Sequence, residues 1–217
     1  MIKNLFFDLD GTLTDPKQGI TRCINYALVS LGKAHIDEDD LQQYIGPPLR
    51  SSFKKLLCSN DVSLIEKAIE LYRERFSEVG IFENNVYSGI DELLANLYDS
   101  SIGLYVATAK PKIYADRIIE HFQLTRYFQY VYGSGLDGSL SNKVKLVEFI
   151  MDQTKLIHEV TAIVGDRKDD IAAGKLNGIR TIGVTYGYGS IKEIAESNPD
   201  YICYSPHDLR NIVLNVP

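Results

Sequence analysis

Short apolar runs and stretches of helical periodicity alternate along most of this chain, the pattern of a parallel α/β fold. Strands are predicted over residues 5–7, 102–107, 130–132, 162–164, 181–184 and 201–202. Between them the spacing predicts helices over 89–98, from Pro111 with apolar Ile113, Ile118 and Phe122, from about Asn142, over 171–176, and after Pro206. One segment breaks the alternation. From 16 to 83 no strand is legible, and two apolar faces recur at the helical period: Ile20, Cys23, Ile24, Ala27, Leu28 and Leu31, then Leu64, Ile65, Ala68, Leu71, Tyr72, Phe76 and Val79. The expectation is a Rossmann-like, doubly wound parallel sheet from 1–15 and 84–217, with a helical insert at 16–83 after the first strand.

Asp15-Pro16 suits the start of that insert, Asp as N-cap and Pro at the first helical position. Gly46-Pro47-Pro48-Leu49 must be a rigid loop, since consecutive prolines cannot continue a helix. Arg50, just beyond, is a candidate substrate contact.

The polar residues gather where the apolar runs end. Asp8-Leu9-Asp10-Gly11-Thr12-Leu13-Thr14-Asp15 follows the first run. In a strand, positions i and i+2 share a face, so Asp8 and Asp10 would look the same way, one as nucleophile and the other as its acid/base partner. Like charges that close call for a cation, and Mg²⁺ fits because this hard ion takes carboxylate oxygens and bridges to phosphate. Gly11 lets the chain turn without a side chain blocking a substrate. Thr108 and the backbone N–H of Ala109, ahead of a helix, could cradle a phosphate. Lys143 opens a helix from which it could reach back to Asp8, whereas Lys145 would face elsewhere. Asp166, in Gly165-Asp166-Arg167-Lys168-Asp169-Asp170, sits at a strand end, and Asp170 lies one helical turn on and on the same side; both are candidate metal ligands with Asp8 and Asp10. Thr185-Tyr186-Gly187-Tyr188-Gly189 reads either as a border of this site or as a Gly-rich turn.

Composition narrows the classes. A net charge of -6 with no Lys/Arg run argues against a nucleic-acid polymer as partner. No apolar run reaches membrane-spanning length, and the first residues enter a strand rather than a secretory signal, so a cytoplasmic protein without membrane contact is expected. Three cysteines (Cys23, Cys58 and Cys203) have no ligand-like spacing and read as reduced core or partly buried residues.

Taken together, Asp8-Leu9-Asp10-Gly11-Thr12, Thr108, Lys143 and Gly165-Asp166-Arg167-Lys168-Asp169-Asp170 resemble, in order and over almost the whole chain, the haloacid dehalogenase superfamily. Ile45-Gly46-Pro47-Pro48-Leu49 and Pro199-Asp200-Tyr201-Ile202 are similar to its phosphoglycolate phosphatase-type members with a helical (C1-type) cap. The resemblance implies attack by Asp8 on a small phosphate monoester to give an aspartyl-phosphate, with Asp10 as acid/base. It implies Mg²⁺ held by Asp8, Asp166 and the backbone carbonyl of Asp10, with Asp170 acting through water or behind the ligands. Thr108 and Lys143 would hold the transferring group, and the cap would close over it. Relatives often carry Thr-Asn-Lys where this chain has Thr108-Ala109-Lys110, so one side-chain contact is missing. A dehalogenase would lack the second aspartate. A phosphomutase of the same fold is the alternative enzyme, although Thr12 stands where mutases usually have Val, and a non-catalytic phosphate-binding protein would have lost Asp8, Asp10 or Asp166. Phosphoglycolate, a nucleotide, pyrophosphate or a sugar phosphate would each fit as substrate, and a monomer or a homodimer as assembly.

Overall fold

The structure is a computed structural model that describes residues 1–215. The chain forms two compact units, an α/β unit of Met1–Asp15 with Val86–Pro217 and a helical unit of Pro16–Asn85.

The α/β unit is built on a six-stranded sheet of β1 (Asn4–Phe7), β2 (Gly103–Pro111), β3 (Tyr130–Ser134), β4 (Thr161–Gly165), β5 (Arg180–Val184) and β6 (Tyr201–Cys203). Their order across the sheet is β3-β2-β1-β4-β5-β6, every pair parallel. This is the Rossmann-like, doubly wound arrangement, with α4 (Ile90–Asp99), α5 (Lys112–His121), α6 (Lys143–Thr154), α7 (Lys168–Leu176), α8 (Ile191–Glu196) and α9 (Pro206–Asn215) along the sheet. β1 is central, so both its faces are covered and Leu5, Phe6 and Phe7 are all fully buried; hence an unbroken apolar run rather than alternation. Phe6 joins a core cluster with Leu146, Val147 and Ile150 of α6 and Ala173 of α7. The pleat turns Phe7 to the opposite face, where its ring meets Phe128 edge-on.

Two departures from the expected elements matter. β2 runs on through Thr108, Ala109 and Lys110 to Pro111, with a register shift against β3 between Ala107 and Pro111, and α5 begins one residue later at Lys112. Thr108 and Ala109 therefore lie in an irregular strand extension rather than in a loop. Ile113 of α5 is exposed, and the buried positions are Tyr114, Ala115, Ile118 and Ile119.

The helical unit contains α1 (Lys17–Ser30), α2 (Leu49–Leu56) and α3 (Val62–Arg75). Pro16, not Asp15, takes the N-cap position of α1, with no side-chain cap. Asp61 caps α3, accepting from the N–H groups of Ser63 and Leu64. The helix then widens into a π-turn over Phe76–Gly80; that wider turn breaks the 3.6-residue period, which is why Phe76 is buried while Val79 is exposed. The unit extends to Asn85, past the expected boundary at Glu83. Glu83 is held there by Arg75 (2.7 and 3.0 Å) and Arg22 (2.9 Å), and its carbonyl accepts from Gly19 N–H at 2.9 Å.

Gly174 of α7 illustrates how tightly the helix sits on the sheet: a Cβ there would collide with Thr181 Cγ2 and lie 2.6 Å from Ile163 Cγ2. Helix propensity favours alanine by roughly 0.5–1 kcal/mol, but overpacking costs about 1–3 kcal/mol. Gly174→Ala is expected to lower stability on balance, seen as a reduced midpoint in urea denaturation.

Candidate active site

Strand order reverses direction between β1 and β4, and ligands of such sheets bind outside the carboxyl ends at that switch point. Asp8 leaves the end of β1, its N–H still donating to Val164 O of β4 at 2.9 Å. Asp166 leaves the end of β4. The two carboxylates thus flank the switch point because of strand order alone.

After Asp8 the chain winds tightly around one carbonyl. Leu9 O accepts from the N–H groups of Thr12 (3.3 Å), Leu13 (2.9 Å) and Thr14 (3.0 Å), and Gly11 N–H donates to Thr14 O at 2.8 Å. Gly11 has φ +84°, and a Cβ on it would strike the Asp166 carboxyl. Its role in the fold is therefore to let this loop approach Asp166, a closer constraint than the clearance for substrate read from the sequence.

The two carboxylates of the Asp8/Asp10 pair meet different lysines. Lys143 Nζ lies 2.8 Å from Asp8 Oδ1 and 2.9 Å from Asp170 Oδ1, and it donates to Ala107 O at 2.9 Å. Lys110 Nζ lies 2.5 Å from Asp10 Oδ2, with both side chains largely buried. Lys143 reaches the cluster because Asn142 caps α6, accepting from Lys145 N–H at 3.1 Å, which places 143 on the buried side and leaves 145 exposed. Asp170 serves twice. As the third residue of α7, it accepts from Arg167 N–H at 3.1 Å, closing the helix N-terminus, while its other oxygen faces Lys143.

Asp8, Asp166 and Asp170 each offer a carboxylate oxygen within 4.8 Å of the others, all buried. With Lys143 they leave three negative charges against one positive, a formal excess of two. Asp166 Oδ1 has no hydrogen-bond partner, while Asp8 Oδ1 and Asp170 Oδ1 share the single Lys143 ammonium. Buried charges without compensation are costly, so this donor set fits a divalent cation bound through oxygens. Asp10's carboxylate stands outside the set, paired with Lys110.

Electrostatics follow from burial. Desolvation, aided by Asp170 and Asp8, pushes the Asp166 carboxyl up to about 8, against the Tyr188 N–H that favours the anion. Burial raises Asp170 to about 6, opposed by Lys143. Asp10 is raised chiefly by burial, with Lys110 working against the shift. Burial disfavours the Lys143 ammonium, but Asp170 and Asp8 outweigh it and hold its pKa above the ordinary lysine value.

Of the other sequence candidates, Thr108 is buried and its Oγ1 accepts from Lys110 N–H at 3.2 Å, while Ala109 O accepts from Ser134 Oγ at 2.8 Å. Arg50 belongs to the helical unit, exposed near the start of α2 and ion-paired with Glu66 of α3. Asp15 is no helix cap: its carboxylate accepts from the Tyr188 hydroxyl. Cys58 is exposed, and Cys23 and Cys203 are buried; all three are free thiols.

Lys110, missed by the sequence reading, and the 185–189 loop, one of whose two readings was a border of this site, both carry a signal for their place. Lys110 stands two residues after Thr108 in an extended segment, a spacing that keeps both on one side of a strand. The 185–189 loop follows β5, the parallel neighbour of β4, so it must emerge beside Asp166. There Tyr188 N–H donates to Asp166 Oδ2 at 2.7 Å.

The fold is a Rossmann-like sheet of the kind found in hydrolases, with buried aspartates gathered at its switch point. A family model described as haloacid dehalogenase-like hydrolase matches residues 5–184. A 5'-nucleotidase from Pseudomonas aeruginosa is 42% identical, covering 97% of this chain and 95% of that protein. Tyrosine-protein kinase PtkA from Mycobacterium tuberculosis is 34% identical over 93% of this chain and 68% of its own. A phosphoglycolate phosphatase from Vibrio parahaemolyticus is 28% identical over 98% and 96%. Among solved structures, a predicted phosphatase from Clostridium acetobutylicum superposes with a TM-score of 0.93 at 38% identity, covering 99% of both chains. The chain belongs to the haloacid dehalogenase-like hydrolase family, and it is a phosphoric monoester hydrolase of that family.

Two measurements test the electrostatic account. Lys143→Ala leaves Asp8 and Asp170 without their buried cation and should cost about 3–5 kcal/mol of unfolding free energy; Lys145→Ala, at an exposed position, should stay within roughly ±0.5 kcal/mol. In metal-free protein the raised pKa of Asp166 means that the folded state keeps a proton which the unfolded chain releases near the ordinary carboxylate value. Stability should therefore fall as pH rises from about 4 to about 8. Asp166→Asn should flatten that decline in thermal melts across the same range.

Proposed function

We propose that the protein is a Mg²⁺-dependent phosphatase that hydrolyses a small-molecule phosphate monoester through an aspartyl-phosphate on Asp8. The observation that carries this is the division of charge at the switch point: Asp8 within a trio of carboxylates short of two positive charges, and Asp10 outside it on its own lysine.

In the first step an Asp8 carboxylate oxygen attacks phosphorus in line, and the bond to the ester oxygen breaks. Asp10 gives its proton to the leaving alkoxide. In the second step Asp10 takes a proton from water, which attacks the same phosphorus and releases phosphate and the Asp8 carboxylate. A proton donor must hold its proton at working pH, and burial raises Asp10 in that direction. Lys143 holds Asp8 in place, and Thr108, Ala109 and Gly11 line the phosphoryl position. Asp8, Asp166 and the backbone carbonyl of Asp10 would hold Mg²⁺, with Asp170 behind them, and the ion would supply positive charge against the phosphoryl oxygens.

Substrates of phosphoglycolate, nucleotide or sugar-phosphate type suit this reading; the helical unit acts as the cap, with Arg50 as a substrate contact. The reading carries a cytoplasmic location and a monomeric or homodimeric assembly. Among the described residues no helix is long and apolar enough to cross a membrane.

The test is phosphate release from a panel of phosphorylated metabolites and an aryl phosphate. Turnover should require Mg²⁺ and stop with a chelator. Isomerised sugar phosphate with little free phosphate would mean a mutase instead, and label passing to tyrosine would mean a transferase. Asp8→Asn should abolish turnover, because an amide is neither nucleophile nor anionic ligand. Asp10→Asn should lower kcat by about 10²- to 10⁴-fold on alkyl phosphates; with the aryl phosphate, whose leaving group needs no proton, release of the phenol in the first turnover should be largely spared while steady-state turnover still falls, because hydrolysis of the aspartyl-phosphate needs the same base.

A further inference from the structure

Asp166 is oriented by a loop that belongs to neither the nucleophile segment nor its own strand. Tyr188 N–H donates to Asp166 Oδ2 at 2.7 Å, while Oδ1 makes no hydrogen bond. The loop can come this close because two of its residues have no side chain. A Cβ on Gly187 would run into Gly11 O and the Asp166 side chain, and one on Gly189 into Asp166 O. Yet glycines make the loop entropically expensive to hold still.

Beside contacts with Tyr87, whose ring meets Tyr186 edge-on and whose hydroxyl hydrogen-bonds Tyr188, two side-chain ties to the segment after β1 hold it. Tyr186 Oη donates to Thr12 O at 3.2 Å, and the Tyr188 hydroxyl donates to the Asp15 carboxylate. The Tyr188 tie is the stronger kind, since its acceptor is ionised. It also acts on the residue whose backbone touches Asp166. Asp15 and Tyr188 are 173 residues apart in sequence, so the tie closes the loop across the unit rather than along it.

We propose that Asp15 and Tyr188 are positioning residues for divalent-cation binding: their hydrogen bond clamps the 186–189 loop so that Tyr188 N–H aims the Asp166 carboxylate at the cation. This rests on the reading of Asp166 as a metal ligand.

The experiment is Mn²⁺ binding to the full-length protein, followed by loss of the free-ion electron paramagnetic resonance signal, with thermal melts of each metal-free variant alongside. Partners behind metal ligands typically contribute about 10- to 100-fold to affinity, and Tyr188→Phe should weaken Mn²⁺ binding by about tenfold at the lower end of that range. Asp15→Ala should match it, and the double variant should be no worse than either. Asp15→Asn, whose amide oxygen still accepts the hydroxyl, should restore most of the affinity, an outcome that a general loss of packing would not give. Asp166→Asn should bind far more weakly than any of these. If the unaltered protein binds Mn²⁺ but Tyr188→Phe binds it equally well, the clamp is refuted and the metal site stands. Additive losses in the double variant, or no rescue by Asp15→Asn, would refute the pairing in the same way. If the unaltered protein takes up no Mn²⁺, the metal reading and the clamp fall together.

Discussion

Everything at this site depends on a buried imbalance of charge. Three carboxylates, Asp8, Asp166 and Asp170, converge on a place with one ammonium, that of Lys143. Protein interiors do not tolerate such an excess without a proton, a cation or a strong hydrogen-bond network. The fold supplies what compensation it can: a helix N-terminus whose Arg167 N–H meets Asp170, a backbone N–H from Tyr188, and the carbonyl of Ala107 to hold the lysine. The remainder, a formal excess of two negative charges, matches what one divalent cation would supply.

The second lysine gives Asp10 a partner of its own: Lys110, arriving from the irregular extension of β2, pairs with it. Asp8 and Lys143 still act on the Asp10 carboxyl, Asp8 raising its pKa and Lys143 lowering it, but less strongly than burial and Lys110 do. The register shift after Ala107 has the same logic. A regular strand would carry residues 108–110 along β3, whereas the irregularity lets Thr108 take Lys110 N–H and frees the lysine to turn toward Asp10.

Legibility in the sequence followed the range of each interaction. Asp8, Asp10 and Asp166 could be picked out because each sits at the end of an apolar run, and a parallel sheet puts such ends on one edge whatever the strand order. Lys143 could be picked out because a helix start after a loop returns to the same edge. The partners of Lys110 and Asp15 could not, since they depend on which strands are neighbours and how the 185–189 loop folds back. Asp15-Pro16 misled for a local reason: the dipeptide has cap chemistry, but the Tyr188 hydroxyl competes for the carboxylate and Pro16 ends the helix unaided. The helical insert was visible from periodicity, while its end was not, because Glu83 is retained by two arginines from elsewhere in that unit.

The winding of residues 12–14 around Leu9 O has a consequence for how this motif can vary. One carbonyl receives three successive N–H groups, so the path from Asp8 to Thr14 has a single length. A residue added or removed would leave an N–H without its acceptor and shift Asp10 relative to Lys110, and the side chains have little more freedom, since Leu9, Thr12, Leu13 and Thr14 are fully buried and Gly11 has no room for a Cβ. The segment is thus a ruler rather than a linker: its count is fixed by one carbonyl and most of its letters by burial.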